Sequence, residues 1–304
     1  MDYDVLIVGA GSAGLSAALT LGRCRRRVLV ADAGPPRNAT SPAVHGFLSR
    51  DGVRPAELLR LSREQLVPYH TVAVHELRIT QLTPLAGGFR AEGLTGQGHP
   101  WSGTARRVLL ATGVEDQLPP LPGFREYWGT GVLHCPYCHG YEVRDQRLAI
   151  YGRGRLVVGL ALLLRNWSSH VAIVTDGPGH LTPHARRRLA RHHIAVHEQP
   201  VARLVGGPRG LLRCVEFADG TYHECEAVFL HAAQEQRSPL AAELGARHKK
   251  NGAVWVDKNT QTSIRGLHAA GDTTPGQQQA LIAAAEGTQA GMCINEALTR
   301  EQSK

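Results

Sequence analysis

No stretch of the 304-residue chain stays apolar long enough to cross a bilayer. The longest run, Leu156 to Leu164, is closed off by Arg155 and Arg165, and a spanning helix needs about 20 apolar residues. Met1-Asp2-Tyr3-Asp4 leads at once into Val5-Leu6-Ile7-Val8, without the basic segment and cleavage site of a secretory leader, so a cytoplasmic protein is expected. Six cysteines are too sparse for a disulfide scaffold. Aromatic residues are only 5 % of the chain and do not interleave with its basic clusters, which disfavours a nucleic-acid partner. A Gly-x-Ser-x-Gly elbow is missing, and the 16 histidines place no His-x-x-x-His pair on a predicted helix. Acyl transfer and zinc-dependent hydrolysis therefore have no signature here. Collagen, coiled-coil and solenoid repeats are absent as well.

What is present is an ordinary globular composition, 42 % hydrophobic and 20 % charged, with a net charge of +8. At this length two compact domains are expected. Val5 to Val8 reads as a buried strand, Gly9-Ala10-Gly11-Ser12-Ala13-Gly14 follows directly, and Leu15 to Gly22 continues as a helix. Arg27 to Ala31 makes the next strand, ending at Asp32. In such a βαβ unit Gly9 allows the tight turn, Gly11 lets a pyrophosphate approach the backbone, and Gly14 lets helix and strand pack closely. Phosphates would sit at the helix N-terminus, and Asp32 would accept from a ribose hydroxyl. The motif is equally compatible with FAD and NAD.

A helix is expected over Glu57–Leu66, strands of a small sheet over Val72–Thr80 and Gly88–Glu92, and a linker over the Pro-rich segment Gln117–Gly123. A second βα signal begins at Arg147–Tyr151, followed by Gly152-Arg153-Gly154 and an apolar helix over Val158–Leu164. The strand His170–Val174 leads to Asp176. Here the third glycine is replaced by Val157, which should push helix and strand apart. Further strands are expected at Gly210–Phe217, Ala227–Leu230 and Gly266–Ala270, and a last helix from about Gln278 to Ala297. Cys135 and Cys138, at C-x-x-C spacing just before the second unit, form either a redox pair or half of a metal site completed by His134 and His139. The fold class that results is α/β, with two Rossmann-like, doubly wound domains.

These landmarks in this order resemble the low-molecular-weight thioredoxin reductase family over nearly the whole chain. The matching pieces are Gly9 to Gly14, Ala111-Thr112-Gly113, Cys135-Pro136-Tyr137-Cys138, and Ala270-Gly271-Asp272 with Gln279-Ala280. The resemblance implies FAD in the first domain, which is split in sequence into 1–116 and 246–304 around an inner nicotinamide-type domain, 117–245. It implies that Asp272 holds the ribityl chain, and that Gln279 and its helix N-terminus face the flavin pyrimidine edge. It also implies that Cys138 lies nearest the flavin and that Cys135 forms the mixed disulfide with a substrate. A homodimer, and a thioredoxin-like protein or a small-molecule dithiol or disulfide as partner, are implied too.

Three departures set this chain apart. The position after the second cysteine, commonly acidic in the family, is His139, whose imidazole can carry the same proton. The basic cluster of the NADPH site is replaced by Thr175-Asp176-Gly177, so Asp176 with Gly152 and Gly154 would select NADH, or nicotinamide binding is lost. Arginines crowd two helix ends (Arg23 to Arg27, and Arg186 to Arg191), read either as solvated helix faces or as a dock for an acidic donor such as ferredoxin. The expected activity is FAD-dependent thiol-disulfide exchange. The alternatives are a dithiol oxidase using oxygen and a flavin-bearing sensor without turnover.

Overall fold

The computed structural model describes residues 1–207 and 211–303. In chain order its first elements are β1 (Tyr3–Val8), α1 (Ser12–Arg23), β2 (Val28–Asp32), α2 (Pro55–Glu64), β3 (Val72–Leu85), β4 (Gly88–Thr95), β5 (Pro100–Leu110) and β6 (Val114–Gln117). Then come β7 (Val132–Leu133), α3 (Pro136–His139), β8 (Leu148–Tyr151), α4 (Arg155–Leu164), β9 (Val171–Val174), α5 (Pro183–Arg191), β10 (Ala195–His197) and β11 (Val201–Gly206). The last are β12 (Leu212–Phe217), β13 (Tyr222–Glu224), β14 (Ala227–Leu230), β15 (Ala233–Gln236), α6 (Leu240–Glu243), β16 (Leu267–Ala269) and α7 (Ala280–Gln302). Among the described residues no helix is long and apolar enough to cross a membrane.

The chain divides into two compact units, and the first comprises Met1–Ala39, Phe47–Glu115 and Gln234–Lys304. Its parallel layer pairs β2 with β1 and with the start of β3, and β5 with both β1 and β16. β3 and β4, expected as a small sheet of their own, belong to this same six-stranded sheet. β3 runs parallel to β2 over Val72–Glu76 and antiparallel to β4 from Leu77 onward. β5 pairs antiparallel with β4 up to Ala105 and parallel with β1 through Leu110. Two long strands therefore serve both layers. The strands over which β1, β2 and β5 pair in parallel are almost wholly buried, as expected where helices cover a parallel sheet. One apolar cluster joins Val5, Ile7, Leu21 and Val30 to Ala290, Ile294 and Leu298 of α7, so α1 is packed between the sheet and α7.

The second unit comprises Thr40–Gly46 and Asp116–Ala233. Its five-stranded sheet has the order β10-β9-β8-β14-β7, every pair parallel, and β11-β12-β13 form an antiparallel sheet. Three expectations are corrected here. The Pro-rich segment is no linker: Leu118 and Leu121 pack against a cluster built on fully buried Phe124, and Pro122 accepts from the Leu204 amide. Val157 does not prise helix from strand, because it is taken into the core with Leu148, Ile150 and Ile173. The return to the first unit falls at Gln234 rather than 246, since Leu240 and Ala241 of α6 are buried in the first unit's core. Gly210 of the expected strand lies outside the described residues.

Gly287→Ala would set a methyl group 2.0 Å from the Ala13 carbonyl oxygen and force α7 off α1, at a cost of about 1–3 kcal/mol in denaturant unfolding. Gly159→Ala, exposed in α4 with open space around it, is expected instead to gain up to ~1 kcal/mol. Acid should also destabilise the fold. Burial, aided by Arg107, pushes the His268 imidazole down to about 4, and burial pushes His223 to about 4. The unfolded chain takes these protons at about 6.5, so the contribution is complete above that pH and is lost as pH falls toward 4. His268→Gln should flatten this acid limb by on the order of 1–3 kcal/mol in pH-dependent unfolding.

Candidate active site

In the first unit, β1 delivers the chain into a turn that only glycine permits. Gly9 has φ +109°, and a side chain there would meet the Ala111 carbonyl oxygen at 2.3 Å. A Cβ on Gly14 would lie 1.9 Å from the Gly9 carbonyl oxygen, so α1 starts directly over the strand end. Gly11 differs from both: a Cβ on it would meet nothing within 4 Å. It is the extended N-cap of α1, without a side-chain cap, and the first turn holds no acidic residue. The amides of Ser12, Ala13 and Gly14 thus begin a helix whose positive end faces open space. That is the arrangement that accepts an anion such as a dinucleotide pyrophosphate.

Around this cradle, Asp32 accepts from the Gly34 amide at 3.2 Å and pairs with Arg63 of α2. Ala111 donates to the Val8 carbonyl, and the Gly113 amide donates to Thr273 Oγ1 at 2.7 Å, which also lies 3.3 Å from Thr112 Oγ1. Glu286 of α7 accepts from the Gly271 amide at 2.8 Å and from the Thr274 hydroxyl at 3.1 Å, fixing the Gly271-Asp272 turn. Burial pushes its carboxyl pKa up. Asp272 pairs with Arg37 at 2.9 Å, and Arg37 also donates to Gln278 Oε1 at 2.7 Å. Gln278 and Gln234 exchange two amide hydrogen bonds of 2.8 Å. Asp272, Gln278 and Gln234 line one cleft with Val114 and Thr274. Gln279 is the extended N-cap of α7, Ala280 its first residue, and that helix start is also free of acid and side-chain cap. Sequence reasoning missed Arg37, Arg63, Thr273, Gln278, Gln234 and Glu286. None sits in a motif with recognisable spacing.

In the second unit, Cys135 and Cys138 are joined as a disulfide across the start of the four-residue helix α3, with Cα atoms 5.2 Å apart. Cys135 is the N-cap and Pro136 the first helical residue, which pre-sets the turn. Among the described residues no group of three or more His, Cys, Asp or Glu side chains is placed to hold a metal ion. His134 instead stacks 5.7 Å from Trp128. Tyr137, between the two cysteines, and Tyr141 are well exposed, the first set edge-on to Trp167. His139 Nε2 lies 3.0 Å from Ser41 Oγ, and its Nδ1 is buried without a hydrogen-bond partner among the described residues. Burial pushes the His139 pKa down, with Glu142 pulling the other way. His45 lies 3.4 Å from Glu142.

The second phosphate-type loop is turned on itself. The Gly154 amide donates to the Gly179 carbonyl at 2.8 Å, and a Cβ on Gly152 would lie 3.0 Å from Val157. Asp176 accepts from the Val201 amide at 2.8 Å and from the Tyr151 hydroxyl at 2.9 Å, and pairs with Arg153 at 3.6 Å. A ribose hydroxyl would have to share the Asp176 carboxylate with these partners. Of the basic clusters, Arg26 is structural, donating to Asn295, Thr299 and Gln302 of α7, while Arg186 pairs with Glu198.

With this geometry in hand, the chain compares closely with known proteins. The family described as "Pyridine nucleotide-disulphide oxidoreductase" matches residues 3–287. The crystal structure of HlmI is 37 % identical and superposes with a TM-score of 0.88, covering 99 % of this chain and 94 % of that one. A putative thioredoxin reductase TrxB from Bacillus anthracis is 32 % identical with a TM-score of 0.91, over 98 % and 99 % of the two chains. The thioredoxin reductase tcpT of Claviceps purpurea is 31 % identical, covering 88 % of this chain and 86 % of its own. The chain belongs to the pyridine nucleotide-disulphide oxidoreductase family and is a thioredoxin-reductase-like FAD oxidoreductase of two Rossmann-like domains.

Proposed function

We propose that the protein is an FAD-dependent thiol-disulfide oxidoreductase in which the Cys135/Cys138 pair exchanges two electrons with a thioredoxin-like protein or a small-molecule disulfide. The observation that carries this reading is the Cys135–Cys138 disulfide beside His139, whose buried Nδ1 has no hydrogen-bond partner among the described residues. The open cradle at Gly9, Gly11, Ser12, Ala13 and Gly14 fits a dinucleotide, because a ligand can approach Gly11 where a side chain would meet nothing. Asp32 suits the ribose. Ala111, Thr112, Gly113, Gly271 and Asp272 suit the stretch toward the ring, and the capless start of α7 at Gln279-Ala280 suits an electron-rich ring edge. When bound, the flavin supplies storage for the electron pair.

The chain's own residues do the sulfur chemistry. The Cys135 thiolate attacks the partner disulfide, forming one S–S bond and releasing one partner thiolate. Cys138 then attacks Cys135, releases the second partner thiolate and closes the Cys135–Cys138 disulfide. His139 takes the thiol proton as the nucleophile forms and returns it to a departing sulfur. A homodimer and a cytoplasmic setting belong to the same reading.

A second reading, a dithiol oxidase that runs these steps in reverse with oxygen as acceptor, is favoured by the self-occupied loop at Gly152 and Gly154 and by the three contacts of Asp176. The donor is open in either case: NADPH, NADH or an acidic ferredoxin-type protein. Anaerobic stopped-flow decides between the two. Flavin bleaching by a nicotinamide or by ferredoxin identifies a reductase, whereas bleaching only by dithiol, with peroxide on admitting air, identifies the oxidase.

Two variants test the assignments. Cys138→Ser should trap a partner mixed disulfide on Cys135, seen by mass spectrometry, whereas Cys135→Ser should trap none; the opposite pattern reverses the two roles. Gly11→Val should fold with unchanged circular dichroism yet purify with little flavin, since its side chain meets only the space reserved for phosphate.

A further inference from the structure

A serine outside every recognised motif touches the active-site histidine. Ser41 belongs to the seven residues Thr40–Gly46 that pack with the second unit although the flanking chain belongs to the first. Three contacts anchor this segment. Val44 is buried; Thr40 closes on Gly129, where a Cβ would lie 2.5 Å from Thr40 Oγ1; and His45 faces Glu142 at 3.4 Å. Ser41 itself is buried, so its hydroxyl is held in one place.

A hydroxyl has one proton to give. The Ser41 hydroxyl gives it to the Ala43 carbonyl oxygen at 2.7 Å. Toward His139 Nε2, at 3.0 Å, Ser41 Oγ can therefore only accept, and the ring hydrogen must sit on Nε2. In the neutral ring the lone pair is then confined to Nδ1, the atom that is buried with no partner among the described residues. We propose that Ser41 is a positioning residue that locks His139 in the Nε2–H tautomer, leaving Nδ1 as the sole ring atom able to take the proton of the active-site thiol.

This assignment rests on the proposed thiol-disulfide function and adds the group that orients its base. Once the Cys135–Cys138 disulfide has been reduced, a thiol S–H bond breaks and an Nδ1–H bond forms, giving a thiolate and an imidazolium with no change in total charge. Around the ring, the Glu142 carboxylate and the Cys135 carbonyl, which can accept a hydrogen bond only from a protonated ring nitrogen, favour the charged form, while burial and His45 oppose it. Burial is the largest of these influences, and the pKa is lowered. When the thiolate is consumed, the same nitrogen returns its proton to the departing sulfur of the partner.

The test uses the flavin-loaded protein and needs no partner; for its second half the Cys135–Cys138 disulfide is opened with dithiothreitol, which is removed before alkylation. With histidine nitrogens labelled with ¹⁵N, and the His139 signals assigned by their loss in His139→Gln, the wild-type disulfide form should show a protonated Nε2 and a bare Nδ1. Ser41→Ala should mix or invert the two, and Ser41→Thr, which keeps the hydroxyl, should restore the wild-type pattern. In the reduced protein under anaerobic conditions, iodoacetamide alkylation followed against pH should shift to alkaline values in Ser41→Ala. At pH 7 this would be roughly tenfold slower, the equivalent of one pKa unit in thiolate. Ser41→Thr should recover the rate, and adding Ser41→Ala to His139→Gln should change nothing further. A hydrogen on Nδ1 in the wild type, or a Ser41→Ala protein with unaltered tautomer and alkylation profile, overturns the assignment while leaving the oxidoreductase reading intact. Failure to exchange with any dithiol or disulfide would sink that reading while leaving the tautomer result standing.

Discussion

The first unit depends on backbone meeting backbone without an intervening side chain. At Gly14 the start of α1 lies against the Gly9 carbonyl, and at Gly287 the middle of α7 lies against the Ala13 carbonyl. Dispersion and burial reward such closeness only if no Cβ stands between, since protein interiors have no slack to absorb one. Because both contacts converge on the first turn of α1, the turn is held from two sides, with no side-chain cap on its N-terminus. A cradle for phosphate is in this sense a by-product of tight packing.

What could be read from sequence follows from how local each requirement is. The Gly9–Gly14 turn, the buried strands on either side and the C-x-x-C pair announce themselves because their chemistry demands particular residues at particular short spacings. Partners contributed across long separations announce nothing. Arg37 reaches Asp272, Glu286 reaches back to Gly271, and Ser41 reaches His139 only after the sheets have assembled. The same limit explains the misread segments. Prolines 119, 120 and 122 look like a linker until Leu118 and Leu121 find Phe124, and Val157 looks like a flaw until it finds the core. The long strands β3 and β5 could not be foreseen as members of two layers, since residue alternation says which face is buried and not which neighbour a strand pairs with.

In the second unit the two candidate binding regions contrast in how their polar groups are used. The loop at Gly152–Gly154 and Asp176 has its donors and acceptors matched internally, a stable arrangement that a ligand would have to compete with. The dithiol region leaves one buried nitrogen of His139 without a partner among the described residues, a costly arrangement in a folded protein.

Arg26, just beyond α1, grips Asn295, Thr299 and Gln302, the first of them 269 residues away. A ribosome emits these partners long after it emits the arginine, so the leading βαβ segment must wait, half-covered, while the intervening residues appear. The inserted unit has its own core and can condense during that delay. The amino-terminal cradle, though made early, can be sealed only with the arrival of α7.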